Sequence, residues 1–142
     1  MAKPLKTEIL NEARLSLSNP VAYCGFHCDY CSHKFCGGCR SEYVGTSYKQ
    51  ACGGACPNIT CARKKGIDGC YLCDDLKNCD IGYYVKNKEY TAKASALFIK
   101  KYGEECFTNT LKKAVESGMK YTKSFDRAGS VEKVLALLEN YI

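Results

Sequence analysis

Residues 24–79 read CGFHCDYCSHKFCGGCRSEYVGTSYKQACGGACPNITCARKKGIDGCYLCDDLKNC and hold eleven of the twelve cysteines in this 142-residue chain. The same stretch contains eight of the twelve glycines but only seven large aliphatic or phenylalanine side chains. Ordering a backbone costs about 1–2 kcal/mol per residue, whereas burying one large apolar side chain contributes about 1.5–3 kcal/mol. Because seven such side chains cannot offset that cost, we expect the thiols to hold the stretch together through metal ions or disulfides.

The spacing of the cysteines favours metal ions. The stretch contains C-x2-C pairs at 36–39 and 70–73 and a C-x3-C-x2-C group at 24–31. A two-residue spacer lets one turn supply two thiolates to the same ion, and structural zinc takes four such ligands. The residue count allows two four-thiolate sites with two or three cysteines left over, and the spacing leaves open which pairs share a site.

Several residues of the stretch have more than one interpretation. His27 and His33 could each replace a thiolate, although surface histidines beside the site are the simpler expectation. Cys52 is a ligand, a spare thiol or an exchange partner of Cys56. Cys106 stands apart from the others, and we expect a buried core cysteine there.

Two other kinds of chemistry remain open. Thiolates in this number also suit an iron–sulfur cluster, and the C-x3-C-x2-C group at 24–31 has the spacing used by radical S-adenosylmethionine enzymes. The barrel of strands and helices that such enzymes require is not indicated by the residues that follow. A dithiol redox or metal-delivery protein would use a C-x2-C pair, but neither pair lies in a thioredoxin-like strand–helix pattern.

Composition and charge narrow the class of protein. The chain is 46% hydrophobic and 25% charged, which is typical of a globular protein, and no apolar run is long enough for a membrane helix. The N-terminus has no apolar signal segment, so we expect a cytoplasmic protein in which metal sites are commoner than disulfides. The net charge of +6 is spread along the chain and is partly balanced by metal-bound thiolates. Nucleic-acid binding is therefore disfavoured, and a protein partner remains possible.

Apolar periodicity predicts helices on both sides of the cysteines. The C-terminal part should contain helices over 88–102, 104–117 and from 131 to the end, the last one capped by Ser130. The intervening residues 119–129 are predicted to be irregular, with Tyr121 and Phe125 packing inward. Two short helices are predicted at 7–17 and at 57–65, where Gly66 follows as a stop signal.

The order of the cysteine motifs resembles that of the Cys-rich "domain of unknown function 3795" family of bacterial and archaeal proteins. The resemblance includes Cys24-Gly25, Gly38-Cys39, Cys61-Ala62 and Lys65-Gly66-Ile67, and it extends to the segments ALFIKKYG and KSFDRAGS. Asn78 departs from the proline that this family often has before its last cysteine. The resemblance implies a metal-binding cytoplasmic protein, and it implies ten ligands: Cys24, Cys28, Cys31, Cys36, Cys39, Cys56, Cys61, Cys70, Cys73 and Cys79.

We therefore predict a small, mainly α protein with an irregular Cys-rich lobe stabilised by metal. Residues 1–85 should form the N-terminal helix and this lobe, and residues 86–142 should form three helices that pack on it in one compact domain. The first functional hypothesis is a zinc protein with closed four-cysteine sites that serves as an interaction or regulatory module, and the residues suggest no catalytic set. The alternatives are an iron–sulfur protein in redox or electron transfer, and a dithiol redox or metal-delivery protein.

Overall fold

The computed structural model describes residues 7–15, 17–30, 38–41, 55–85 and 90–142, and this part of the chain is mainly helical. Within these ranges no β-strand is present, and Val21 and His27 form an isolated antiparallel bridge. The α-helices are α1 (Thr7–Leu15), α2 (Pro57–Lys65), α3 (Thr91–Tyr102), α4 (Glu104–Glu116), α5 (Lys123–Asp126) and α6 (Val131–Glu139). In the described part of the chain between α2 and α3, three short 3₁₀ helices lie at Cys70–Leu72, Leu76–Asn78 and Gly82–Tyr84.

Helix ends follow the local signals in the sequence. Ser130 begins α6, and its hydroxyl accepts a hydrogen bond from the Lys133 backbone N–H at 3.1 Å. Gly66 ends α2 in the left-handed conformation, with φ of 69°, and its N–H contacts carbonyls of the last turn. The helices predicted at the N-terminus, after Pro57 and on both sides of Gly103 are confirmed, although α1 ends at residue 15, α3 begins at residue 91 and α4 ends at residue 116.

Helix α3 is the central element of the fold. It packs against α4, α6 and all three 3₁₀ helices. At 100° per residue, its buried residues span more than half of its circumference, and Lys100 and Lys101 are exposed on the other side. The buried residues are Thr91, Ala92, Ala94, Ser95, Ala96, Phe98 and Ile99. The small side chains among them allow other elements to approach closely. Residues of the Cys-rich segment, including Cys24 and Cys70, therefore share one buried cluster with Phe98 and Leu138.

Two predictions for the C-terminal part are wrong in detail. Residues 119–129 contain the short helix α5 instead of being irregular throughout, while Tyr121 and Phe125 are buried as expected. The last helix ends at Glu139, and Ile142 is exposed instead of extending the apolar stripe.

None of the helices in the described ranges combines the length and the apolar composition required to cross a membrane.

Candidate metal centre

Four cysteines line one cavity of about 320 Å³. Cys61 lies on α2, Cys70 begins the first 3₁₀ helix, and Cys73 and Cys79 directly follow the first and second 3₁₀ helices. Other parts of the wall are apolar, with Ala62, Ile67, Leu76 and Ile81 among the lining residues. We call Cys61, Cys70, Cys73 and Cys79 the cavity cysteines.

Backbone hydrogen bonds fix three of the cavity cysteines. The N–H of Cys73 donates to the Cys70 carbonyl at 3.0 Å, and the N–H of Cys79 donates to the Leu76 carbonyl at 3.2 Å. The N–H of Cys70 donates to the Tyr23 carbonyl at 2.7 Å, which joins the 3₁₀ segment to the residues before Cys24. Tight turns thus hold the thiols around a common space.

Asn58 organises one side of the cavity, a role that sequence reasoning missed. Its side chain is buried and donates to the Ile81 carbonyl at 3.0 Å, while its Oδ1 accepts from the Tyr83 N–H at 2.9 Å. The Cys70 sulfur lies 3.8 Å from the Asn58 carbonyl oxygen. The asparagine therefore ties α2 to the chain that follows Cys79, and the only sequence signal was its place beside Pro57 at a helix start.

Three lysines place positive charge around the cavity cysteines. Lys65 Nζ lies 3.1 Å from Cys73 Sγ, and Lys100 Nζ donates to the Cys73 carbonyl at 3.0 Å. Lys93 Nζ donates to the Cys79 carbonyl. The hydrogen bond to Cys73, together with the negative charge of its thiolate, raises the pKa of Lys65. The lysines therefore add positive charge beside a cavity that Asp75 and Asp80 also line.

Burial disfavours the thiolate form of Cys70. It raises the pKa of the Cys70 thiol to about 11, and hydrogen bonding with Tyr84 and Asn58 lowers that pKa in part. The thiol is therefore protonated at neutral pH in the absence of a bound cation. Any metal that binds here must displace its proton, which makes binding pH-dependent.

A second set of cysteines consists of the buried Cys24 and Cys56 and the half-buried Cys39, and we call these three the inner cysteines. Cys24 and Cys56 are only 3% and 4% exposed. Burial raises the pKa of Cys24 most strongly, and the neighbouring thiols of Cys39, Cys56 and Cys70 raise it further. The Tyr84 hydroxyl donates to the Cys24 carbonyl at 2.6 Å and also lines the cavity, so it connects the two sets.

The predicted ligands thus divide into groups. Cys28, which follows His27 in the sequence, is buried. The described residues do not include Cys31, Cys36, Cys52 or His33. Among the described residues, no three His, Cys, Asp or Glu side chains converge tightly enough to hold a single metal ion. Cys106 is half-buried instead of buried, and it lies on α4 with its sulfur 3.9 Å from the Thr110 hydroxyl.

His27 is not the surface histidine that the sequence suggested. The ring is fully buried, Nδ1 lies 3.3 Å from the Asp29 N–H nitrogen, and Nε2 lies 3.1 Å from the Thr108 hydroxyl. Burial lowers the pKa of His27, against a smaller opposite effect of the Asp29 charge. The neutral ring uses both nitrogens within the protein, so a ligand role would require breaking these contacts.

Comparisons of the chain with protein-family models, with curated proteins and with solved structures found no match. The resemblance to the Cys-rich family therefore stays a hypothesis based on the cysteine order, and the functional argument depends on the geometry of the chain itself.

Proposed function

We propose that the cavity cysteines bind an iron–sulfur cluster, and that the protein serves in electron transfer or a small redox reaction. The observation that carries this proposal is that Cys61, Cys70, Cys73 and Cys79 line one cavity of about 320 Å³. A single water molecule takes about 30 Å³ in the liquid, so this space admits a group of several atoms. The sequence placed zinc first, and the size of the cavity favours a multi-atom centre.

The donors and their surroundings suit such a centre. Four thiolates are the ligand set of both [2Fe–2S] and [4Fe–4S] clusters. Lys65, Lys93 and Lys100 partly offset the negative charge of four thiolates, to which Asp75 and Asp80 of the wall add. When bound, the cluster would supply one-electron transfer, and the residues of the cavity would hold it and set its electrostatic environment.

The test is purification of the full chain without oxygen, followed by iron, sulfide and zinc analysis and a visible absorption spectrum. We expect iron and acid-labile sulfide in equal amounts and a brown protein. Zinc without iron in a colourless protein would overturn the proposal, as would reactive thiols with no stoichiometric metal.

Matched cysteine variants locate the centre. Cys70→Ser should lose iron and visible absorption, and Cys73→Ser, at a half-buried position where folding depends less on the thiol, should do the same. Cys106→Ser is the control, because this cysteine lies on α4 away from the residues that line the cavity, and it should retain the metal. Equal iron in all three variants would contradict the assignment to the cavity cysteines.

A further inference from the structure

The contact between Lys65 and Cys73 differs from the other cationic contacts of the cavity. Lys65 Nζ lies 3.1 Å from Cys73 Sγ, whereas Lys93 and Lys100 donate to the backbone carbonyls of Cys79 and Cys73. Lys65 is the last residue of α2, so the helix positions its side chain beside the turn that carries Cys73. The ammonium therefore acts on a sulfur atom through a direct hydrogen bond.

We propose that Lys65 raises the reduction potential of the centre bound by the cavity cysteines, through its hydrogen bond to the Cys73 sulfur. This inference rests on the proposed function. Reduction adds one electron, and hence one negative charge, to the centre, and a nearby cation stabilises the reduced state more than the oxidised state. A charge-assisted N–H···S bond also withdraws electron density from the sulfur, and hydrogen bonds to cluster sulfurs are a main determinant of potential.

Asp75 should lower the reduction potential that Lys65 raises, so its replacement tests the direction of the electrostatic effect. Its Oδ2 lies 3.6 Å from Lys65 Nζ, and it lines the same cavity. The carboxylate adds negative charge near the centre and competes with Cys73 for the ammonium. Removal of its charge should therefore shift the potential in the direction opposite to removal of the lysine charge.

Lys64 supplies a matched control. It precedes Lys65 on α2, is exposed, and carries the same charge, but it is not among the residues that line the cavity. Replacement of Lys64 changes the net charge of the protein by the same amount as replacement of Lys65. The comparison therefore separates the local hydrogen bond from the general electrostatic effect of one fewer cation, which is screened by salt.

The experiment is a potentiometric titration of the full chain with dithionite as the reductant, under anaerobic conditions, followed by visible absorption. Lys65→Met should shift the midpoint to lower potential, by more than Lys64→Met does. Lys65→Arg should stay near the wild-type value because it keeps a cationic donor. Asp75→Asn should shift the midpoint to higher potential.

Each result decides the inference. The inference is wrong if Lys65→Met and Lys64→Met shift the midpoint potential equally. It is also wrong if the midpoint potential of Lys65→Met, or that of Asp75→Asn, equals the wild-type value. If Lys65→Met fails to retain the centre, the Asp75→Asn and Lys65→Arg midpoints still carry the test. Wild-type protein without iron and sulfide would instead refute the proposed function, a failure that is recognised before any variant is titrated.

Discussion

His27 has a different role in the structure from the one that its place in the sequence suggests. A histidine between cysteines at 24 and 28 is a candidate metal ligand by type and position. In the fold, its ring packs near Tyr30 and Phe107 and contacts the Thr108 hydroxyl of α4. The residue therefore links the Cys-rich segment to the C-terminal helices.

Removal of the Thr108 hydroxyl tests this role. Thr108→Val leaves the buried Nε2 of His27 without its hydrogen-bond partner, and we expect the free energy of unfolding to fall by about 1–3 kcal/mol. Urea denaturation measures the change, and Thr108→Ser, which keeps a hydroxyl, is the control. Metal content should be unchanged in the folded variants, and loss of metal on substitution of Thr108 would argue for a ligand role of His27.

Gly25 is the residue at which the chain approaches α3 most tightly among the described glycines. Its φ is +101°, and a Cβ there would lie 2.7 Å from the Ala96 backbone nitrogen. Gly129 also has a positive φ, of +92°, but a Cβ there would meet no atom within 4 Å. An alanine at either position would therefore be strained by the positive φ. Only at Gly25 would its Cβ also clash with a helix backbone.

We therefore expect Gly25→Ala to destabilise the protein more than Gly129→Ala does. The difference should be about 1–3 kcal/mol, because overpacking against a helix backbone forces a shift of one element. Thermal or urea unfolding of the two variants measures it. Equal destabilisation would mean that Cys24 and its neighbours do not pack against α3 as closely as described.

At the scale of elements, Asp126 caps the start of α3 from another part of the chain. Its Oδ1 accepts from the N–H groups of Tyr90 and Thr91, each at 3.0 Å, and from the Thr91 hydroxyl at 2.6 Å. The carboxylate also suits the positive end of the helix dipole. Asp126 is the last residue of α5, so this long-range cap joins α5 to the start of α3.

Asp126→Ala should lower the free energy of unfolding by about 1–3 kcal/mol, since three donors lose their acceptor. Asp126→Asn keeps an oxygen acceptor and should cost less. Ser130→Ala, which removes the local cap of α6, is a comparison with an expected cost of about 1 kcal/mol. Chemical denaturation of the three variants measures the order, and the cap assignment is wrong if Asp126→Ala is as stable as wild type.

At the scale of the whole molecule, hydrogen bonds and buried contacts connect the cavity to the C-terminal helices. Lys93 and Lys100 of α3 donate to the carbonyls of Cys79 and Cys73, and Cys24 and Cys70 belong to the same buried cluster as Phe98 of α3. A centre that holds the cavity cysteines therefore stabilises α3 as well. Metal binding and folding should be coupled across the chain.

Under the proposed function, removal of the bound centre with a chelator under reducing conditions should lower the Tm of the whole molecule. Far-UV circular dichroism during heating should show one lowered transition that includes the helices, instead of an unchanged helical melt. Protein passed through the same treatment without chelator is the control. An unchanged Tm after complete loss of metal would show that the helices fold independently of the cavity.

Sequence reasoning succeeded where the determining forces are local. Ser130 and Gly66 set helix ends through contacts within a few residues, and the apolar spacing after residue 90 predicted α3, α4 and α6. The composition alone also shows that residues 24–79 contain few large apolar side chains. These features depend on hydrogen bonds and periodicities that span one or two turns.

The partners of each thiol were decided by tertiary structure. C-x2-C spacing pairs Cys70 with Cys73, but only the tertiary fold, in which α2 packs against the third 3₁₀ helix, places Cys61 and Cys79 around the same cavity. The contacts of Lys65 with Cys73 and of Asp126 with Thr91 likewise join residues on separate elements. The sequence by itself determined the helices other than α5 and the residue types that could bind metal, because those properties are local. Only the tertiary structure decided which thiols line the same cavity, because that depends on how the segments pack around α3.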